Sequence, residues 1–95
     1  MIPNKIYDLS DESLLNSLIN NDRKALEEIF NLYWSRLYFY AYKILKGKDI
    51  CEDIVQEIFI DLWSRKNEIN ISNLSSYLYT AVNYKILNHF RKDEI

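Results

Sequence analysis

A chain of 95 residues, 48% hydrophobic and 15% aromatic, is too short for two independent cores and too apolar for disorder. One Gly, one Pro and one Cys exclude a turn-rich sandwich or barrel, a disulfide framework and a cysteine-based zinc site, and fit a reducing cytoplasm. Formal net charge is −2, so the chain is no generic polycation, and no apolar run is long enough to cross a bilayer or serve, at Met1-Ile-Pro-Asn-Lys, as a signal peptide. What remains is a small all-α domain.

The elements follow in order as a compact bundle of about four helices. Asp11 to Asn20 is predicted as a short first helix with Ser10 as N-cap and acids in its first turn. Asn21-Asp22 caps a long second helix, with Leu26, Phe30, Tyr33, Leu37, Ala41 and Ile44 in helical period. Its aromatic run from Tyr33 to Tyr42 covers most of the circumference and is mainly core, as a central helix requires. Leu32 and Phe39 point away from that arc and are expected to extend a docking surface. Gly47 stands where a left-handed residue would end the helix. Asp49 with Glu52 opens a third helix to about Lys66 as an acidic capping box. Residues 67–73 read as a loop, and Ser72 or Asn73 caps a fourth helix to about Lys92.

The near-neutral total hides an uneven distribution. Residues 49–61 carry five acids and no base, whereas residues 62–95 carry five bases against three acids. Such a split suits two different partners.

On the third helix, Ile50, Cys51, Ile54, Val55, Ile58, Phe59 and Leu62 fill one half of the wheel. Asp49, Glu52, Asp53, Gln56, Glu57 and Ser64 fill the other, together with Ile60 and Trp63. A solvated face with two stray hydrophobes fits this pattern. So does a docking surface, where an aromatic anchor is ringed by charge and the partner supplies Arg or Lys.

The fourth helix has an apolar arc of Leu78, Tyr79, Val82, Ile86 and Phe90, with His89 beside it. Opposite runs a stripe of Tyr77, Thr80, Ala81, Tyr84, Asn88 and Arg91, flanked by Lys85 and Lys92. An amphipathic helix with half-buried tyrosines explains the pattern. A nucleic-acid surface explains it too, since rings stack on bases, Asn reads base edges and Lys/Arg neutralise phosphates.

Cys51 and His89 lie on apolar arcs and read as core rather than as nucleophile and base. One His and one Cys make no metal site, the acidic stripe is not a convergent cage, and no glycine-rich phosphate loop exists. No cofactor and no small-molecule substrate are expected.

The string Asp49-Ile-Cys-Glu-Asp-Ile-Val-Gln-Glu-Ile-Phe-Ile-Asp-Leu-Trp63 resembles the region 2.2 helix of bacterial sigma-70 family transcription initiation factors, above all the extracytoplasmic-function (ECF) group. Asn21-Asp22 through Lys46 is similar to region 2.1, and Ser76-Tyr-Leu-Tyr-Thr-Ala-Val82 through Arg91-Lys92 to regions 2.3 and 2.4, so the likeness spans about residues 10–92. It implies a non-enzymatic cytoplasmic domain. Glu52, Asp53, Gln56, Glu57, Ile60 and Trp63 would dock on the clamp helices of the RNA polymerase β′ subunit. Lys66, Asn73, Tyr77, Thr80, Tyr84, Lys85, Asn88, Arg91 and Lys92 would recognise and melt the promoter −10 element. An anti-sigma factor is a further implied partner. The family often has Asn where this chain has Tyr84, with Asn83 one residue earlier.

ECF factors continue into a helix-turn-helix region 4, which this sequence lacks, so residues 1–95 are expected to be one region 2 domain, either a natural short form without the second promoter-reading domain or, as the unbroken start and abrupt end favour, an N-terminal domain excised from a longer protein. Two other classes fit the composition alone: a helical interaction module outside transcription, and a small enzyme using Cys51.

Overall fold

In the computed structural model, residues 3–68 and 70–93 are described, with side chains for 11–68 and 70–92. They form four helices and no strand: α1 Pro3–Ile19, α2 Arg23–Leu45, α3 Lys48–Arg65 and α4 Leu74–Asp93. Met1 and Ile2 of the amino terminus and Ile69 of the predicted loop lie outside the described residues.

The joints decide how the helices are aimed. α1 starts well before the expected Asp11, and Ser10 lies inside the helix rather than capping it. Pro3 occupies the first helical position, where its missing N–H costs nothing. α1 ends in a Schellman motif: Asn21 takes a positive φ of 67°, its N–H donates to Leu18 O, and Asp22 N–H donates to Ser17 O at 3.0 Å. Asp22 then caps α2 as expected, its Oδ1 accepting from Lys24 N–H at 2.9 Å. The two helices therefore turn on each other within three residues.

The second joint departs from expectation. Lys46, not Gly47, takes the left-handed conformation (φ 60°) and donates its N–H to Tyr42 O at 2.9 Å. Gly47 is extended (φ −113°) and is the N-cap of α3, without any side-chain cap. The glycine serves close approach: a Cβ there would lie 2.9 Å from Ile50 Cγ2. Asp49 consequently sits in the first turn, where it complements the helix dipole, and the predicted capping box is absent. At α4 the expected cap is present: Asn73 Oδ1 accepts from Ser76 N–H at 2.8 Å.

α2 is the central helix and packs on α1, α3 and α4, while α4 also packs on α3 and α1. Its buried residues are Ala25, Ile29, Tyr33, Leu37 and Ala41, a strict four-residue spacing. Each step rotates about 40°, so the stripe winds from one flank of the helix to the other and meets different neighbours at different heights. Leu26 is only half-buried, and Phe30 and Ile44 are exposed, because they lie beside that winding stripe. On α3 the expected buried half holds for Cys51, Ile54, Val55, Ile58, Phe59 and Leu62, with Ile50 half-buried at its margin. On α4, Leu74, Leu78, Val82 and Ile86 are buried, but Phe90 stays exposed.

One buried hydroxyl ties the frame together. Tyr33 on α2 is 3% exposed and donates to Asp11 Oδ2 on α1 at 3.0 Å. Burial, then the Asp11 hydrogen bond and charge, push its phenol up to about 12.

Candidate functional site

α3 separates two grooves of different chemistry. On its α2 side, Trp63, Phe59, Ile60 and Gln56 meet Arg23, Leu26, Glu27 and Phe30 around an open, mainly apolar groove of about 370 Å³. Gln56 is exposed and Ile60 is 56% exposed, both beyond what the core requires. Trp63 is half-buried and packs against the core. Its ring is bracketed by cations, with Lys66 Nζ 4.0 Å and the Arg23 guanidinium 5.6 Å from the ring centroid. Glu52 borders the same side and pairs with Lys48 one turn earlier at 3.3 Å.

The groove continues along α2 as a ladder of rings. Phe30 meets Phe59 at 5.0 Å, Trp34 stacks on Tyr38 at 5.1 Å, and Tyr38 stacks on Tyr42 at 5.9 Å. Sequence reading assigned most of this aromatic run to the core and missed Phe30, Trp34, Tyr38 and Arg23 as surface-lining groups. The signal was present: Phe30, Trp34, Tyr38 and Tyr42 repeat every four residues, off the axis of the buried stripe.

Leu32 and Phe39 do not extend this surface, contrary to expectation. They lie about 200° and 180° round α2 from Phe30 at 100° per residue. Leu32 instead lines a cleft with Ser13, Leu14 and Ser17 of α1, and Phe39 is 61% exposed on that far side.

On the α4 side of α3 charged side chains rim the surface. Asp53 and Glu57 share a groove of about 410 Å³ with Lys85, Asn88, Arg91 and Lys92. The adjoining groove, about 270 Å³, is floored by Ile58 and Ala81 and walled by Asp61, Arg65, Tyr77, Thr80, Tyr84 and Lys85. The six expected docking residues are thus divided. Glu52, Gln56, Ile60 and Trp63 lie toward α2, whereas Asp53 and Glu57 face the α4 groove.

The nine α4-side residues are divided as well. Tyr84 is 62% exposed, and Thr80, Arg91 and Lys92 are exposed with it, so one open stripe exists. Tyr77 and Asn88 are half-buried at its border, and burial raises the Tyr77 phenol above its ordinary value. Asn73 is exposed but its side-chain oxygen is engaged as the α4 cap. Asn83 is turned toward α2, accepting from the Tyr40 hydroxyl at 2.6 Å, which leaves the outer position to Tyr84.

Two of the basic residues expected to meet phosphate are occupied within the molecule. Lys66 is 9% exposed and donates to Trp63 O at 3.2 Å, beneath the Trp63 ring. It is tied to Trp63 rather than to the α4 stripe, because a long side chain buries its stem and finds its nearest acceptor one turn back. Lys85 donates to Glu57 Oε1 at 3.1 Å and lies 3.3 Å from Asp61 Oδ2. Burial alone would lower its ammonium, but the hydrogen bonds to Glu57 and Asp61 outweigh that and hold it above the ordinary lysine range.

Cys51 is fully buried on α3, and burial pushes its thiol up, away from thiolate chemistry at neutral pH. His89 lies half-buried beside Phe90 on α4. Among the described residues no group of three or more His, Cys, Asp or Glu could hold a metal, and no helix is long and apolar enough to cross a membrane.

No match is found to a curated protein or to a solved structure. Residues 29–94 match the family Sigma-70 region 2, which covers most of α2 and all of α3 and α4, and so the whole lining of the α3–α4 grooves and that of the α2–α3 groove apart from Arg23, Leu26 and Glu27. A transcription initiation role with RNA polymerase binding and promoter recognition follows from that membership, and it is the role of a non-catalytic domain. With its all-α architecture and its two unlike faces carried on α3 and α4, the chain belongs to the sigma-70 family as a region 2 domain.

Proposed function

We propose that this is an ECF-type region 2 domain that docks on the β′ clamp helices with its α2–α3 groove and presents the outer stripe of α4 to the opened −10 element. The observation that carries the docking assignment is the exposed Gln56 and Ile60 beside a cation-bracketed Trp63, over an apolar groove no core contact requires. Apolar anchors rimmed by polar groups are where interface energy concentrates. Glu52 supports the rim, and Asp53 and Glu57 offer carboxylates to basic groups further round the partner.

On the DNA side, Tyr84 stacks on an unpaired base, Thr80, Tyr77 and Asn88 border it, and Arg91 and Lys92 meet phosphates. Unstacking a base costs a few kcal/mol, which stacking and phosphate contacts must offset. Asn73 acts by holding the start of α4, and Lys66 by supporting Trp63. The domain works in the cytoplasm, and an anti-sigma factor that covers either face would silence it.

Two measurements test the reading. Gln56→Ala combined with Trp63→Ala should abolish binding to a β′ clamp-helix fragment while the helical CD spectrum persists; unchanged affinity removes the docking assignment. A −10 non-template strand should bind with a salt slope of only a few charges. Equal affinity for a scrambled strand removes specific readout by the domain alone.

A further inference from the structure

The α2–α3 groove has a charged rim along the start of α2. Arg23 and Glu27 line the groove beside Phe30 and are exposed, and both precede residue 29, so family membership assigns them nothing. They stand one turn apart on one face of the helix, the spacing at which opposite charges ordinarily pair. Among the described residues neither forms an ion pair. Their order is the weaker one, with the cation ahead of the acid along the helix. The Trp63 ring also offers the guanidinium a competing face, 5.6 Å from its centroid. Arg23 therefore leans across the groove toward α3, and Glu27 stays in water. The rim carries one cation and one anion about 6 Å apart along α2, beside an apolar lining that includes Leu26, Phe59 and Ile60. Lys24 and Glu28 have the same charges at the same spacing, but lie about 100° further round α2, where Glu28 borders the α1–α2 cleft.

We propose that Arg23 and Glu27 are the selectivity determinants of the docking groove: they read a helix that lays an apolar side chain into the groove, presents a carboxylate to Arg23 and, one turn along, presents a basic group to Glu27. A partner helix running along α2 carries such a pair at its own i and i+4 positions. The inference rests on the docking reading above and adds the charge pattern of the partner, with an acid where the carboxylates of α3 by themselves ask only for bases. Charges at a rim fix register and reject wrong partners more than they add affinity. The Trp63 contact holds the guanidinium in place beforehand, so less side-chain freedom is lost on binding.

The test uses the full chain and a β′ clamp-helix fragment of the organism's own polymerase at low salt. The swap Arg23→Glu/Glu27→Arg keeps composition and net charge, turns both contacts into like-charge pairs, and should weaken binding about tenfold. The matched swap Lys24→Glu/Glu28→Lys should change it by less than about twofold. The loss should shrink as salt is raised, because the pairs face solvent. Arg23→Lys should keep most of the affinity. Among single Asp/Glu→Lys variants of the fragment, one should bind the Arg23→Glu chain more tightly than the unsubstituted chain, which identifies the facing carboxylate. An acid at the start of α2 suits the helix dipole, so these variants should remain folded, and thermal unfolding checks that they do.

Equal losses from the two swaps, or no loss from either, overturn the selectivity assignment and leave the docking reading standing. A fragment scan in which no reversal favours Arg23→Glu does the same. Absence of fragment binding by the unsubstituted chain overturns both.

Discussion

The two flanks of α3 run along one helix yet differ in the charge they carry. Toward α2 the surface is apolar and ringed, and its cations, Arg23 and Lys66, lie over the Trp63 ring. Toward α4 it is ionic, and Lys85 is spent on the carboxylates of α3. The first flank leaves apolar area open to water at Ile60 and Phe30, the kind of surface that gains from burial against a complementary one. The second holds opposite charges close together, so its net field is weak until one sign is drawn away.

Separate substitutions should pull the flanks apart. Ile60→Asp puts a carboxylate in the centre of the apolar groove and should weaken clamp-helix binding by about 2–3 kcal/mol, a hot-spot loss. Oligonucleotide affinity and the melting temperature should barely move, as Ile60 is 56% exposed; a fluorescence titration and a thermal scan read both.

Alkaline pH should act on the two flanks together, through the frame that carries them. The Tyr33 phenol is raised from 10.0 to about 12 in the folded state, so its stabilisation is complete below pH 10 and is lost as pH rises toward 12. Linkage puts that loss on the order of 2 kcal/mol. Tyr33→Phe should flatten the alkaline fall in melting temperature, measured across that window.

Tyr84→Ala should lower affinity for a single strand about tenfold, within the range for one stacked base, and leave clamp binding intact. Its 62% exposure predicts little change in stability. Lys66→Met is the smallest effect and the sharpest discriminator. It should cost about 1 kcal/mol of thermal stability through the lost contact with Trp63. It should leave oligonucleotide affinity and its salt slope unchanged, whereas a phosphate contact at Lys66 would reduce the slope by about one charge.

Much of this was legible in local pattern. The caps at Asp22 and Asn73 could be read because a cap is made within three residues. The buried half of α3 could be read because a dense apolar arc sets its own inward direction. α2 was harder, since a central helix is apolar on several sides and its true stripe winds; Phe30 and Ile44 were placed inside, while Leu32 and Phe39 do point away from the buried stripe but on the side away from the α2–α3 groove. Gly47 misled because a glycine signals a need for space or for positive φ, and only the approach of Ile50 tells which.

By itself the sequence determined four helices in order, an acidic segment ahead of a basic one, and the motif that carries family membership. Those features depend on neighbours along the chain. Tertiary structure alone decided that the acids are shared between two grooves, that Lys66 serves Trp63, and that Lys85 serves Glu57 and Asp61. A helical wheel gives each residue an angle about its own axis but not the rotation of that axis against its neighbours. An ion pair between helices depends on that rotation, so it became readable only when α3 and α4 were packed together.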